Sequence, residues 1–421
     1  MDRDRRAAYL ILKDVQDNGS WSNLALGKQF SEEKPASPAF VRELVYGVLR
    51  NQILLDFNID AFLQKPKLKS SERILLRMGF YQLAKMDVAD HAAINETVAL
   101  AKSFIRGKEG FINAILRNFQ RQDSILKLPE NDDLLNYYSV KYSADTSIVK
   151  HLIDAYGKEK AKDFLENSNV PARLCIRVNL IKISRAELIS RLEALGFECE
   201  PSDLAETAVF VKGSGLLDTD MYKLGLFSVQ GEESQFAVSI LDPKSGSLMI
   251  DLCAAPGGKS CACAERMNNE GKILAFDIYS HRAELIKKEA KRLELGIIET
   301  ALADASVINT EYLESADYVL ADVPCSVLGT AKKNPEIKLR KLEIKELPGI
   351  QKKILANAGE YLKAGGRLVY STCTLNPAEN DKLTEEFIAS HSNFSKEFEK
   401  QFYPDKAGCE GFYICSIRKD K

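Results

Sequence analysis

Apolar side chains recur at helical spacing through the first 125 residues of this chain, and the period then changes twice. After Ser37-Pro38, a capping serine with proline at the first helical position, Val41, Leu44, Val45, Val48 and Leu49 fall on one face. Ser70 or Ser71 opens a similar run through Ile74, Leu75, Met78, Tyr81 and Leu83, and another helix is expected from about Ala92 through Ile94, Val98 and Ala101. Residues 110–118 are apolar on one face, with Arg117 and Arg121 on another. Residues 1–125 therefore predict a small all-helical bundle with Trp21, the single tryptophan, as a core anchor. Residues 126–170 read as a polar, helix-prone connector whose Tyr137, Tyr138, Tyr142 and Tyr156 are expected to pack rather than to stack on bases.

From residue 171 the period shortens. β-Branched content predicts strands at 174–179 and 208–211 around an amphipathic helix at 184–195, a small α/β piece spanning 171–226. Residues 227–421 then alternate strand and helix. Strands are expected at 248–252, 272–278, 299–303, 317–321 and 367–371, with a terminal strand at 411–417. Helices are expected from about Lys259, from about His281 to Leu295, and from about Ile350 to Leu362. That alternation predicts an α/β fold with a doubly wound, mostly parallel sheet.

Composition narrows the class. With 421 residues, 45% hydrophobic and 28% charged, the chain suits two to three soluble domains. No apolar run reaches the roughly 18 residues of a membrane helix, and the amphipathic start lacks the core of a signal peptide, so a cytoplasmic protein without membrane attachment is expected. Nine cysteines with no Cys-x-x-Cys pair disfavour disulfides and zinc, and none of His91, His151, His281 and His391 falls in a chemical motif; no metal is expected. The formal charge of −2 is uneven: residues 1–125 carry nineteen Lys and Arg against fifteen Asp and Glu. A second basic run, Lys332, Lys333, Lys338, Arg340, Lys341 and Lys345 against Glu336 and Glu343, is either a phosphate-neutralising loop or a solvated surface helix.

In such a sheet the ligand sits outside the carboxyl ends of the strands. The turn Cys253-Ala254-Ala255-Pro256-Gly257-Gly258-Lys259, directly after Asp251-Leu252, lets backbone approach a ligand closely. It lacks the glycine spacing of a dinucleotide fold, and Cys253 stands where a Walker loop needs its first glycine. Asp277, at the end of the next strand, is placed to accept a ribose diol, and Asp304, ending the third, to meet an adenine amino group. Together these describe an adenosine-bearing ligand without a pyrophosphate, of which S-adenosyl-L-methionine (SAM) is the obvious candidate. Cys325 in Asp322-Val323-Pro324-Cys325 and Cys373 in Ser371-Thr372-Cys373-Thr374 follow two further strands. A thiolate adding to carbon 6 of a pyrimidine makes carbon 5 enamine-like and able to take a methyl group. An ordinary thiol, with a pKa near ~8.5, needs a neighbouring cation for this, and Lys259 is the candidate.

Several stretches carry a resemblance. Residues 73–79, 90–96 and 113–117 resemble the NusB-type RNA-binding domain, and 171–226 the subdomain preceding the catalytic domain of RNA cytosine methyltransferases. Residues 251–260, 322–326, 334–338 and 371–380 resemble the RNA 5-methylcytosine methyltransferase family, and nearly the whole chain is similar to its bacterial RsmB (Sun, Fmu) branch. The resemblance implies a SAM-dependent enzyme acting on small-subunit (16S) ribosomal RNA, with Cys373 as the nucleophile, Cys325 assisting product release and Asp322 contacting the cytosine. It also implies RNA capture by the front bundle; a monomer is expected. Val327, Val323 and Gly231 depart from the family's usual residues. Transfer RNA as substrate and a non-catalytic RNA-binding factor are the alternatives; intact cysteines and turn argue against the latter.

Overall fold

The computed structural model describes residues 2–64, 67–344 and 346–420. The chain divides into two compact units: residues up to Pro171 together with Thr330–Leu342, and Ala172–Gly329 together with Glu343 onward.

The first unit is helical. Ser37 caps the helix Pro38–Arg50, its hydroxyl accepting from the Phe40 N–H at 3.3 Å. The helix Ser70–Lys85 begins at Ser70 itself, with Glu72 reaching back to the Lys69 N–H. Leu44, Val45, Ile74, Leu75, Ile94, Ile112 and Leu116 share one core, in which Phe80 and Phe119 stack 3.9 Å apart. The connector folds into the helices Leu134–Tyr142, Thr146–Tyr156 and Lys158–Asn167, and buries Tyr138 and Tyr142 against each other. Among the described residues no helix is long and apolar enough to cross a membrane.

Thr330–Leu342 resolves the basic run. Its Pro335–Leu339 turn buries Lys332, Glu336 and Lys338 within the helical unit, so these are neither solvated nor open to phosphate. The Glu336 carboxylate accepts from the Ser22 N–H at 2.8 Å and the Ser22 hydroxyl at 2.9 Å. The Lys338 ammonium donates to the Tyr142 carbonyl at 2.9 Å and to the Asn169 side chain. Burial, then repulsion from Arg50, brings Lys338 down to about 7. Lys333, Arg340 and Lys341 remain exposed, and Arg340 lies over Trp21, which is half-buried rather than a core anchor. Lys345 lies outside the described residues.

The second unit holds two sheets. The smaller pairs β1 (Leu174–Val178), β2 (Glu198–Pro201), β3 (Ala208–Lys212) and β4 (Phe227–Val229) in the order β2-β3-β1-β4, all antiparallel. Phe227–Val229, read from the sequence as the start of the catalytic region, is an edge of this sheet. The larger contains β5 (Leu248–Asp251), β6 (Lys272–Asp277), β7 (Ile298–Leu302), β8 (Ala316–Asp322), β9 (Leu362–Thr372), β10 (Phe394–Phe402) and β11 (Phe412–Lys419), ordered β10-β11-β9-β8-β5-β6-β7. β5 to β9 run parallel and β10–β11 returns antiparallel. Chain order reverses between β5 and β8, the crevice where open α/β sheets bind ligands.

Candidate active site

The carboxyl ends of β5, β6, β8 and β9 carry the chemistry. In β8 and β9 Asp322 pairs in register with Ser371, so the loops that follow start side by side. Cys325 and Cys373, forty-eight residues apart, meet with their sulfurs 3.4 Å from each other. Lys259 reaches across from the first turn of the helix Gly258–Arg266 and pairs with Asp322 at 2.6 Å. The other Asp322 oxygen accepts from the Ser371 hydroxyl at 2.7 Å. Burial works against the Lys259 charge, but Asp322 overrides it, and the Cys373 sulfur adds to the upward shift. Cys325 is pushed well above an ordinary thiol, first by its contact with Cys373, then by burial and by the negative charges of Cys373 and Glu379. The Glu379 carboxylate reaches the Cys325 loop through the Ser326 N–H at 2.9 Å.

The glycine turn is tightly built. Gly257 has φ +104°, and a Cβ there would stand 3.1 Å from the Ile286 backbone. The Ala254 N–H donates to the Phe276 carbonyl at 2.8 Å, and the Ala255 carbonyl accepts from Arg282 at 3.2 Å. Pro256 is exposed and Cys253 half-buried. Burial, followed by the charges of Asp251, Asp322 and Asp277, drives the Cys253 thiol upward, which places three carboxylates around one turn. Two of these acids already have a cation, Asp322 in Lys259 and Asp277 in Arg282. Asp277 is buried; its oxygens take the Tyr279 N–H at 3.1 Å and face Arg282 at 3.5 Å. Asp304 is exposed and spends one oxygen on the backbone and hydroxyl of Ser306.

Two partners escaped sequence reading. Arg177, on β1 of the smaller sheet, is 2% exposed and donates twice to Glu265, to Gln230 and, at 2.8 Å, to the Gly258 carbonyl. It anchors the start of the helix that carries Lys259. A lone arginine between Ile176 and Val178 was the available signal. Glu379 is fully buried and ties the Cys325 loop to the Cys373 loop. In sequence a glutamate within a polar loop reads as surface.

A sheet that reverses at β5, with a glycine turn flanked by strand-end acids there and a thiol pair beside it, defines the class as a SAM-dependent methyltransferase. Residues 238–418 match the family described as 16S rRNA methyltransferase RsmB/F, residues 2–121 the NusB family, and residues 147–216 an RsmF/B-like ferredoxin-like domain. The chain is 36% identical to the probable ribosomal RNA small subunit methyltransferase B of Bacillus subtilis (strain 168), over 99% of this chain and 98% of that protein. It is 32% identical to ribosomal RNA small subunit methyltransferase B of Vibrio cholerae, over 99% and 97%. The crystal structure of PH0851 matches with a TM-score of 0.84 at 26% identity, covering 100% of this chain and 99% of that one. The chain belongs to the 16S rRNA methyltransferase RsmB/F family and is a SAM-dependent RNA methyltransferase.

Proposed function

We propose that this chain methylates carbon 5 of a cytosine in small-subunit ribosomal RNA through a covalent adduct with Cys373. The observation that carries the reading is the thiol pair, 3.4 Å apart beside the Lys259–Asp322 ion pair. SAM would supply an electrophilic methyl group, and the turn from Cys253 to Lys259 would hold it, with Asp277 for the ribose and Asp304 for the adenine. Cys373, next to the ammonium, forms the sulfur–carbon 6 bond. This breaks the ring's aromaticity, and carbon 5 takes the methyl. Asp322 fixes Lys259 and accepts from the exocyclic amine. Cys325 assists the last stage, in which the carbon 5 proton passes to water, its bonding pair re-forms the 5,6 double bond, and Cys373 leaves as a thiolate. The target base has to leave its stack to reach the paired sulfurs. The front bundle at 1–125 captures RNA, the connector and the small α/β piece follow, and the larger sheet from β5 onward carries the transfer. Ribosomal RNA rests on the names of the relatives.

With full-length protein, RNA and methyl-labelled SAM, Cys373→Ala is expected to abolish transfer. Cys325→Ala is expected to transfer once and accumulate a covalent protein–RNA species. Label reaching RNA through Cys373→Ala would overturn the assignment. Bisulfite sequencing of ribosomal and transfer RNA from a strain lacking the gene locates the base, and loss confined to transfer RNA would overturn the substrate.

A further inference from the structure

We propose that Glu379 is a positioning residue that holds Cys325 against Cys373, so that release of the methylated base depends on it. The proposal rests on the roles just given to the two cysteines. Asn376 caps the short turn Pro377–Glu379 through the Ala378 N–H, and this folds Glu379 back beneath the loop that begins at Cys373. Its carboxylate is fully buried and accepts four hydrogen bonds: from the Ser326 N–H at 2.9 Å, the Ser326 hydroxyl, Asn376 at 2.8 Å and Gln351 at 2.9 Å. Gln351, on the helix Leu347–Tyr361, also donates to the Pro324 carbonyl at 2.9 Å. Both neighbours of Cys325 are therefore fastened, Ser326 directly and Pro324 through Gln351.

Three further ties close the arrangement. The Ser326 and Thr374 hydroxyls meet at 2.6 Å, and the Gly329 N–H donates to the Cys373 carbonyl at 3.0 Å. From the other side, the Tyr370 hydroxyl donates to the Glu379 carbonyl at 2.7 Å. All four groups on the Glu379 side chain are donors, so the site demands an acceptor at both oxygens. A glutamine has the same shape, but its amide would turn two N–H groups toward those donors. Repulsion then falls on Ser326 or Gln351, and Cys325 loses its place.

The sulfur separation can be read without RNA. Diamide takes two electrons and two protons from a pair of neighbouring thiols and leaves a disulfide; mass spectrometry of the linked Cys325 and Cys373 peptides gives its rate, with Cys325→Ala as the blank. Glu379→Gln in the full chain is expected to slow this linkage about tenfold or more. It is also expected to accumulate the covalent protein–RNA species while single-turnover methyl transfer persists, a split that general loss of folding does not produce. Ser326→Ala, which leaves the carboxylate three donors, should shift both readouts in the same direction and serves if Glu379→Gln does not fold. Linkage at the wild-type rate in both variants overturns the proposal. So does slowed linkage without adduct when Cys325→Ala does accumulate it. Slowed linkage with no adduct in any variant, Cys325→Ala included, upholds the positioning role and overturns the assigned role of Cys325.

Discussion

Asp251 ends β5 almost without solvent, and burial lifts its carboxyl to about 7 although the Ser260 hydroxyl donates to it at 2.6 Å. The folded chain therefore holds this proton more tightly than the unfolded chain does. The stability this confers is complete below the ordinary value of 3.8 and is lost as pH rises through about 7. In SAM-free protein the unfolding temperature is expected to fall between about pH 4 and 7, and Asp251→Asn to flatten that fall. Parallel declines in the two proteins would place the effect elsewhere. The same residue scale shows what a sequence can reveal about this site. Cys325, Cys373, Lys259 and Asp322 stand out because their chemistry belongs to the residue type and their strand-end placement follows from periodicity. Glu379 and Arg177 do not, because their importance lies in which distant donors and acceptors they meet. Those partners exist only after the sheets have assembled.

Among the elements, the parallel strands were legible because each is a short apolar run bounded by turn residues. β10 was not. Its sequence, Phe394 to Phe402, interleaves Lys396, Glu397, Glu399 and Lys400, the charged dress that edge strands wear against unwanted pairing. β4 is three residues long, too short for a period to declare itself. The smaller sheet nonetheless acts on the glycine turn, through Arg177 on β1. Burial opposes the Arg177 charge, and the Glu265 carboxylate more than restores it. Arg177→Met would leave Glu265 buried without its partner, a loss of about 3–5 kcal/mol. It would also free the Gly258 carbonyl. Urea unfolding should register the first effect and calorimetric titration with SAM the second, as weaker binding; unchanged affinity would confine Arg177 to stability.

At the scale of the whole molecule, sequence proximity misleads at Thr330–Leu342. These residues follow the Cys325 loop directly, yet they complete the core of the helical unit. Charge counting could not find this, since a buried lysine and a solvated one look alike in a sequence. Glu336→Ala strips the Ser22 backbone and hydroxyl of their acceptor, at a cost of about 1–3 kcal/mol. Hydrogen exchange is expected to quicken around Ser22 in that variant; an unchanged pattern would show that the segment adds little to the helical unit. Domains generally fold as units in the order in which they are synthesised. Here the groups of Ser22, Tyr142 and Asn169 wait for Glu336 and Lys338, which emerge only after the chain has run through β1 to β8. The part of this enzyme that the ribosome begins first is not the part it can finish first.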